Sequence, residues 1–373
     1  MIYLDNAATS LLKPKSIEAA MMRAMATMAS PGRGGHKPAM LAADTALDCR
    51  QAVSRLFGMS DPEKVIFTLN ATHALNIAIY SLVKNRDRVV ISGYEHNAVT
   101  KPLHAIGARV AVASSPLFDP VAALEAFESR LLGAKAAICC HVSNVFGYIL
   151  PLEEIAGLCR YYGVPLIVDA SQSAGVLDID FSGLGAEFMA MPGHKGLLGP
   201  QGTGILLCRN SAEPILHGGT GSNSAIPDMP DFLPDRLEAG THNITGIAGL
   251  LAGVRFVMRQ TPAAILEHER RLCGLMADRL ERIPGVRVYR AVNPEHQTGV
   301  LSVTVDGISC EAIAEALGAR DVAVRAGLHC SPTAHRTAGT LETGTVRFSF
   351  SPFNTIADVE KAAKIFGSVI KNL

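Results

Sequence analysis

Residues 193–204 read Gly193-His194-Lys195-Gly196-Leu197-Leu198-Gly199-Pro200-Gln201-Gly202-Thr203-Gly204, a lysine set among glycines. A lysine is ordinarily found in an exposed surface turn. The flanking glycines argue instead for backbone brought close to a ligand. A lysine that forms an imine with a carbonyl compound needs a partly desolvated place to lower its pKa. Upstream, Pro165-Leu166-Ile167-Val168-Asp169-Ala170-Ser171-Gln172 is an apolar strand ending in an acid. Such an aspartate often caps the next turn or helix. At the carboxyl end of a sheet strand it can also face a ligand. A carboxylate there could keep a heterocyclic ring nitrogen protonated, with Gln172 in reach of a ring hydroxyl.

The third candidate is a thiol. The chain carries eight cysteines, Cys49, Cys139, Cys140, Cys159, Cys208, Cys273, Cys310 and Cys330, with no CxxC pair. Neither a zinc site nor a thioredoxin-like pair is indicated. Most are expected to be small apolar core residues, and Cys139, Cys140 and Cys208 sit in apolar, strand-like runs. Cys330 differs. It follows the strand-like Val322-Ala323-Val324 in a loop, beside His329 and close after Arg325. A nucleophilic thiol must be accessible and have its thiolate favoured by nearby positive charge, and His329 is a candidate proton handler beside it.

The elements that must position these groups form two textures. From about 15 to 240, short apolar runs alternate with helical patterns. The strand candidates are 65–68, 88–91, 110–112, 136–140, 165–168 and 204–207, and the helices include 71–82 and 152–162. This alternation predicts a mostly parallel sheet covered on both faces, with ligands beyond the strands' carboxyl ends. From about 245, long helices (244–260, 265–282) precede strands at 286–289, 300–305 and 345–350 and a closing helix at 356–370. The expected fold class is α/β, with residues 15–244 as a large unit and 1–14 with 245–373 as a small α+β unit. Residues 218–235, rich in Gly, Ser, Asn, Asp and Pro, read as a long loop of the kind that is often functional.

The chain has 373 residues, nearly half of them apolar, and a formal net charge of zero. No basic stripe points to nucleic acid. No apolar run reaches membrane-spanning length and no signal peptide opens the chain, so a cytoplasmic location is expected. No GxGxxG follows an early strand, which excludes a simple dinucleotide oxidoreductase reading.

Taken together, the motifs resemble the fold-type I enzymes that use pyridoxal 5'-phosphate (PLP), and within them the class V aminotransferase group. They are Tyr3-Leu4-Asp5-Asn6-Ala7-Ala8-Thr9, Glu95-His96-Asn97, His141-Val142-Ser143-Asn144, Asp169-x-x-Gln172, Gly193-His194-Lys195 and Glu238-Ala239-Gly240-Thr241. The closing Arg325-Ala326-Gly327-Leu328-His329-Cys330 and Val346-Arg347-Phe348-Ser349 narrow the resemblance to cysteine desulfurases. It runs from residue 3 to about 360.

The resemblance implies a role for each position. Lys195 would hold PLP covalently and move the substrate's α-proton. Asp169 would pair with the pyridine nitrogen, which makes the ring an electron sink. Gln172 would contact the ring oxygen and His96 would stack on the ring. Asn144 would bond near the ring oxygen or the substrate. The phosphate would sit at Ala71 and Thr72, where a helix N-terminus offers free N–H groups and a positive dipole end. His194 would add a contact there, and Thr241 another from the partner subunit of a homodimer. Arg347 would clamp the substrate carboxylate through its planar fork, assisted by Arg325. Cys330 would take sulfur from L-cysteine as a persulfide, leaving L-alanine.

Many members of the group have a serine where this chain has Pro192, and a second threonine or serine where it has Ala71. Both departures remove a phosphate hydroxyl. The short Arg-x-Gly-x-His-Cys form resembles the Suf-type and selenocysteine-lyase-like group, and implies that an acceptor protein or small thiol must come to Cys330. Selenocysteine lyase would use the same residues. Another class V aminotransferase-type reaction would not need Cys330. An inactive scaffold would be expected to lack Lys195, Asp169 or Cys330, and all three are present.

Overall fold

The computed structural model describes residues 1–32 and 34–373. After a short strand β1 (Ile2–Tyr3), seven strands build the main sheet: β2 (Val65–Thr68), β3 (Arg88–Ser92), β4 (Arg109–Ala113), β5 (Ala136–Cys140), β6 (Leu166–Asp169), β7 (Phe188–Pro192) and β8 (Gly204–Cys208). Their spatial order is β2-β8-β7-β6-β5-β3-β4. Every pairing is parallel except those of β8, which runs against both neighbours. β2 therefore points the same way as β3 to β7.

The residues explain why the sheet is covered on both faces. Along β3, Val89 and Ile91 join one apolar core and Val90 the other; along β5, Ala136 and Ile138 join the first, Ala137 and Cys139 the second. This is the two-residue side-chain period of a strand, with apolar residues on both sides as a buried parallel sheet demands.

The second unit has an antiparallel sheet, ordered β12-β13-β10-β9. Its strands are β9 (Val286–Tyr289), β10 (Val300–Val305), β12 (Arg325–Gly327) and β13 (Thr345–Ser349), while β11 (Val322–Ala323) pairs with β1. Val346 and Phe348 of β13 enter a core shared with helices Pro262–Leu280 and Ile356–Ile370. Ile2 and Leu4 enter the same core, so the N-terminus packs with the C-terminal part of the chain. Helix Ile244–Gln260 contributes Ile244, Leu250 and Val254 to the larger core. Residues 218–235 form no helix or strand. No helix among the described residues is long and apolar enough to cross a membrane.

Candidate active site

Five strands that point the same way end along one edge of the main sheet, and the segment after each supplies part of the site. Thr68 leads to Asn70 and helix Ala71–Leu82, and Ser92 to Glu95 and His96. Cys140 leads to Asn144, Asp169 is itself the last residue of β6, and Pro192 leads to His194 and Lys195. Together they enclose a cavity of about 220 Å³ lined by Ala71, Thr72, His96, Asn144, Asp169, Gln172, His194 and Lys195 among others. All but one of the residues assigned above to a cofactor line this cavity. The exception is Thr241, which lines a different one with His73, Glu238 and His242.

Burial is the main force on Lys195; it lowers the ammonium pKa to about 8, aided by Arg347 and Arg325 and opposed by Asp169. A substantial share of neutral amine, the nucleophilic form, is thus present near neutral pH. Asp169 is buried, and its Oδ1 accepts from Ser171 N at 2.9 Å, which leaves Oδ2 for another donor. His96 caps helix Asn97–Ile106, with its Nδ1 accepting from Ala98 N at 3.0 Å. That bond puts the neutral ring's proton on Nε2, and burial lowers the ring's pKa. His194 Nδ1 lies 3.0 Å from Thr9 Oγ1, and burial brings its pKa down to about 4. Gln172 donates to Ala7 O at 3.0 Å. At helix Ala71–Leu82, the Asn70 side chain satisfies only His73 N, so the first N–H groups of the helix remain open.

The cysteine loop is built differently. His329 and Cys330 both take positive φ, 49° and 56°, a conformation costly for non-glycine residues. Three contacts hold them there. Asn144 Nδ2 donates to His329 O at 2.8 Å, Ser331 Oγ donates to Asn144 Oδ1 at 2.6 Å, and Asn97 N donates to Cys330 O at 2.8 Å. Cys330 is exposed, whereas the other seven cysteines are buried. The loop is thus tied to Asn144, which lines the cavity, and to Asn97, the neighbour of His96.

The imidazole of His329 turns away from solvent. Its Nε2 lies 3.1 Å from Thr345 O, its ring stacks on His335, and burial drives its pKa down to about 2. Burial thus keeps this ring neutral, and it adds no positive charge near Cys330. Positive charge near the loop comes from Arg347, which interacts with Cys330, and more weakly from Arg325, whose side chain is 49 % exposed.

Arg347 is 2 % exposed, with Nη1 on Asn144 O at 2.8 Å and Nη2 on Asp5 Oδ1 at 2.9 Å; its Nε has no partner. Arg325 faces Arg347 across the β12–β13 ladder and binds the other Asp5 oxygen at 2.9 Å. Two like charges opposite each other on neighbouring strands repel, and Asp5 offsets that repulsion by bridging both. The motif Tyr3-Leu4-Asp5-Asn6 is visible in the sequence; the pairing that makes Asp5 necessary appears only on folding. The partners of Glu95 likewise appear only on folding. Its Oε1 accepts from Ser92 Oγ at 2.5 Å and Cys140 N at 2.7 Å, and burial raises its pKa to about 8.

The aminotransferase class-V family profile matches residues 2–362. A probable cysteine desulfurase of Pyrococcus abyssi is 30 % identical, over all of this chain and 95 % of its own length. Another, of Halalkalibacterium halodurans, is 31 % identical over 98 % and 92 %. Among solved structures, the apo cysteine desulfurase of Thermococcus onnurineus NA1 superposes with a TM-score of 0.91 at 31 % identity, covering 100 % of this chain and 95 % of that one. The cysteine desulfurase CsdA of Escherichia coli gives 0.87 at 26 % identity, with 100 % and 95 % covered. The chain belongs to the class-V aminotransferase family and, within it, to the cysteine desulfurases.

Proposed function

We propose that this enzyme converts L-cysteine to L-alanine with PLP as cofactor, and that Cys330 receives the sulfur. The reading rests on one juxtaposition: a buried lysine of lowered pKa, an acid with a free oxygen and an open helix N-terminus share a cavity, and an exposed thiol is tethered to its rim. When bound, PLP supplies the electron sink that makes the substrate's α-proton removable.

The residues then divide the work. Asp169 Oδ2 would receive the ring N–H, and His96 would pack against the ring. Thr72 and the free N–H groups at Ala71 and Thr72 would hold the phosphate, with His194 beside them; Ala71 and Pro192 offer no hydroxyl. Thr241 would act in the neighbouring subunit of a homodimer. Gln172 would contact the ring oxygen. Arg347, assisted by Arg325, draws the substrate carboxylate toward Asn144. Lys195 Nζ removes the proton at the α-carbon. The Cys330 thiolate attacks the substrate's sulfur: one sulfur–sulfur bond forms, the carbon–sulfur bond breaks, and the carbon takes up a proton. L-Cysteine plus the Cys330 thiol thus becomes L-alanine plus the Cys330 persulfide. A thiol, free or on an acceptor protein, then removes the outer sulfur. L-Selenocysteine would use the same groups.

The same reading divides the chain into a large unit, 15–244, and a small one formed by 1–14 and 245–373 that carries the Cys330 loop. Its thiols are suited to the reducing cytoplasm.

The test is an absorption spectrum of the purified protein, followed by assay of sulfide and alanine after adding L-cysteine and a reductant, with Cys330→Ala alongside. A yellow protein that makes equal sulfide and alanine, and loses the sulfide on substitution, is the expected result. A yellow protein without cysteine-dependent sulfide would move the chain to another class V reaction. A protein that PLP cannot colour would reject the site.

A further inference from the structure

A second, smaller cavity of about 40 Å³ lies behind Lys195, where the main sheet meets the C-terminal unit. It has room for on the order of three water molecules, or one small ion with part of its water. Lys195 is part of its lining. So is Glu269, on helix Pro262–Leu280, which is only 7 % exposed. Its carboxyl makes no hydrogen bond and no ion pair among the described residues. Every other buried glutamate has partners: Glu238 pairs with Arg50, and Glu95 accepts two hydrogen bonds. A buried carboxylate without a partner is strongly disfavoured.

The place is also shaped around this side chain. A Cβ at Gly299 would fall 2.6 Å from Glu269 Cβ and 3.1 Å from Oε2, so only glycine leaves the carboxyl its position. Oxygen-bearing side chains of Asn6, Ser10, Thr298 and Ser351 line the same space. The other titratable groups nearby are Lys195 in the lining, which forms no ion pair with Glu269 and feels Asp169 and Asp5 instead, and Lys13, whose Nζ donates to Ser10 Oγ at 2.6 Å.

We propose that this cavity is a binding site for a monovalent alkali cation, with Glu269 as its one charged ligand and neutral oxygens completing the shell. One carboxylate balances one positive charge. No group of three or more His, Cys, Asp or Glu among the described residues is placed to hold a metal ion, which argues against a divalent ion. Hard cations take oxygen ligands, and these are the ligands present. A cation there joins the Lys195 segment to helix Pro262–Leu280 and to the ends of β10 and β13, stiffening the seam beside the lysine. Without the cation, burial alone lifts the Glu269 pKa to about 8 and the carboxyl holds a proton at neutral pH. Cation and proton therefore compete, and the cation wins as pH rises.

The experiment needs no turnover, so it stands or falls apart from the proposed reaction. The purified protein is unfolded thermally in lithium, sodium, potassium, caesium or tetramethylammonium chloride at equal ionic strength, at about pH 6 and about pH 9. At about pH 9 one alkali cation should raise the midpoint saturably over tetramethylammonium, with about a 100-fold shift in the folding equilibrium at 100 times its Kd. The shift should shrink at the lower pH, and Glu269→Gln should remove the discrimination between salts. Identical midpoints in every salt, or discrimination retained by Glu269→Gln, would overturn the proposal. If that variant does not fold, relaxation of lithium-7, sodium-23, potassium-39 and caesium-133 with the wild-type protein decides: saturable broadening for one of them supports the site, and its absence for all four rejects it.

Discussion

The two halves of the active site are held in place by different physics. The Lys195 half is assembled from five strand ends whose positions are fixed by a sheet buried on both faces. The Cys330 half rests on two consecutive positive-φ residues held by a few hydrogen bonds from Asn144, Ser331 and Asn97. The first is rigid because moving it would open a core. The second stays put only while its tethers last, and Cys330 is exposed, as the proposed transfer of sulfur to an acceptor requires. Cofactor chemistry and sulfur transfer can therefore be separated by mutation.

The largest separation comes from Lys195→Ala. It should leave the fold intact and reduce alanine formation from L-cysteine by about 10²–10⁴-fold, the scale of a lost acid–base group, as read by single-turnover assay. Capture of PLP by the apo protein should accelerate with pH and level off above about 8, because the neutral amine is the reactive form. A rate flat across that range would contradict the Lys195 assignment.

Cys330→Ala should do the opposite: keep the cofactor's absorption band and eliminate cysteine-dependent sulfide. Ser331→Ala comes next. It removes the loop's hydrogen bond to Asn144, worth about 0.5–1.5 kcal/mol, and so should slow sulfur transfer by up to about tenfold while PLP binding persists. Equal loss of PLP binding and sulfur transfer would mean that the halves are not independent.

The smallest effect is expected from Glu95→Gln, which mimics the protonated acid. The folded pKa of Glu95 is raised from 4.5 to about 8. Its favourable contribution is therefore complete below the unfolded value and is lost as pH rises through about 8. Denaturant unfolding should show wild-type stability falling across this window, by at most about 1.4 kcal/mol per pH unit from this group, and the variant should flatten part of that slope. An unchanged slope would contradict the buried-acid account.

Regular elements in both units were more legible from sequence than the contacts that join them. The runs at 65–68, 136–140, 286–289 and 300–305 and the helices 71–82, 244–260 and 356–370 appear with those bounds, because apolar period and helix caps are local signals. β7 carries no such mark: Phe188-Met189-Ala190-Met191-Pro192 lacks β-branched residues and ends in proline. Its place between β6 and β8 is decided by neighbours distant in the chain. Lys195, Asp169 and Gln172 stand out in the sequence because each lies by a strand end or a glycine run, whereas His96 is named only through the family resemblance. The Asp5 bridge between Arg325 and Arg347 could not, since it joins residues more than three hundred positions apart. Nor could the inward turn of His329, which follows from positive φ and from Thr345 across the fold. Asn144 was visible as a polar residue after β5, but its tie to the loop depends on where residues 329–331 land.

The central claim is that chemistry at Lys195 delivers sulfur to Cys330. Its most direct test is mass analysis of the Cys330 peptide after a single exposure of the PLP-loaded enzyme to L-cysteine without acceptor, with Lys195→Ala in parallel. The account predicts one added sulfur atom on Cys330 in the wild type, an equal amount of alanine, and neither in the variant. Alanine formed while Cys330 stays unmodified, or sulfur on another cysteine, would contradict it.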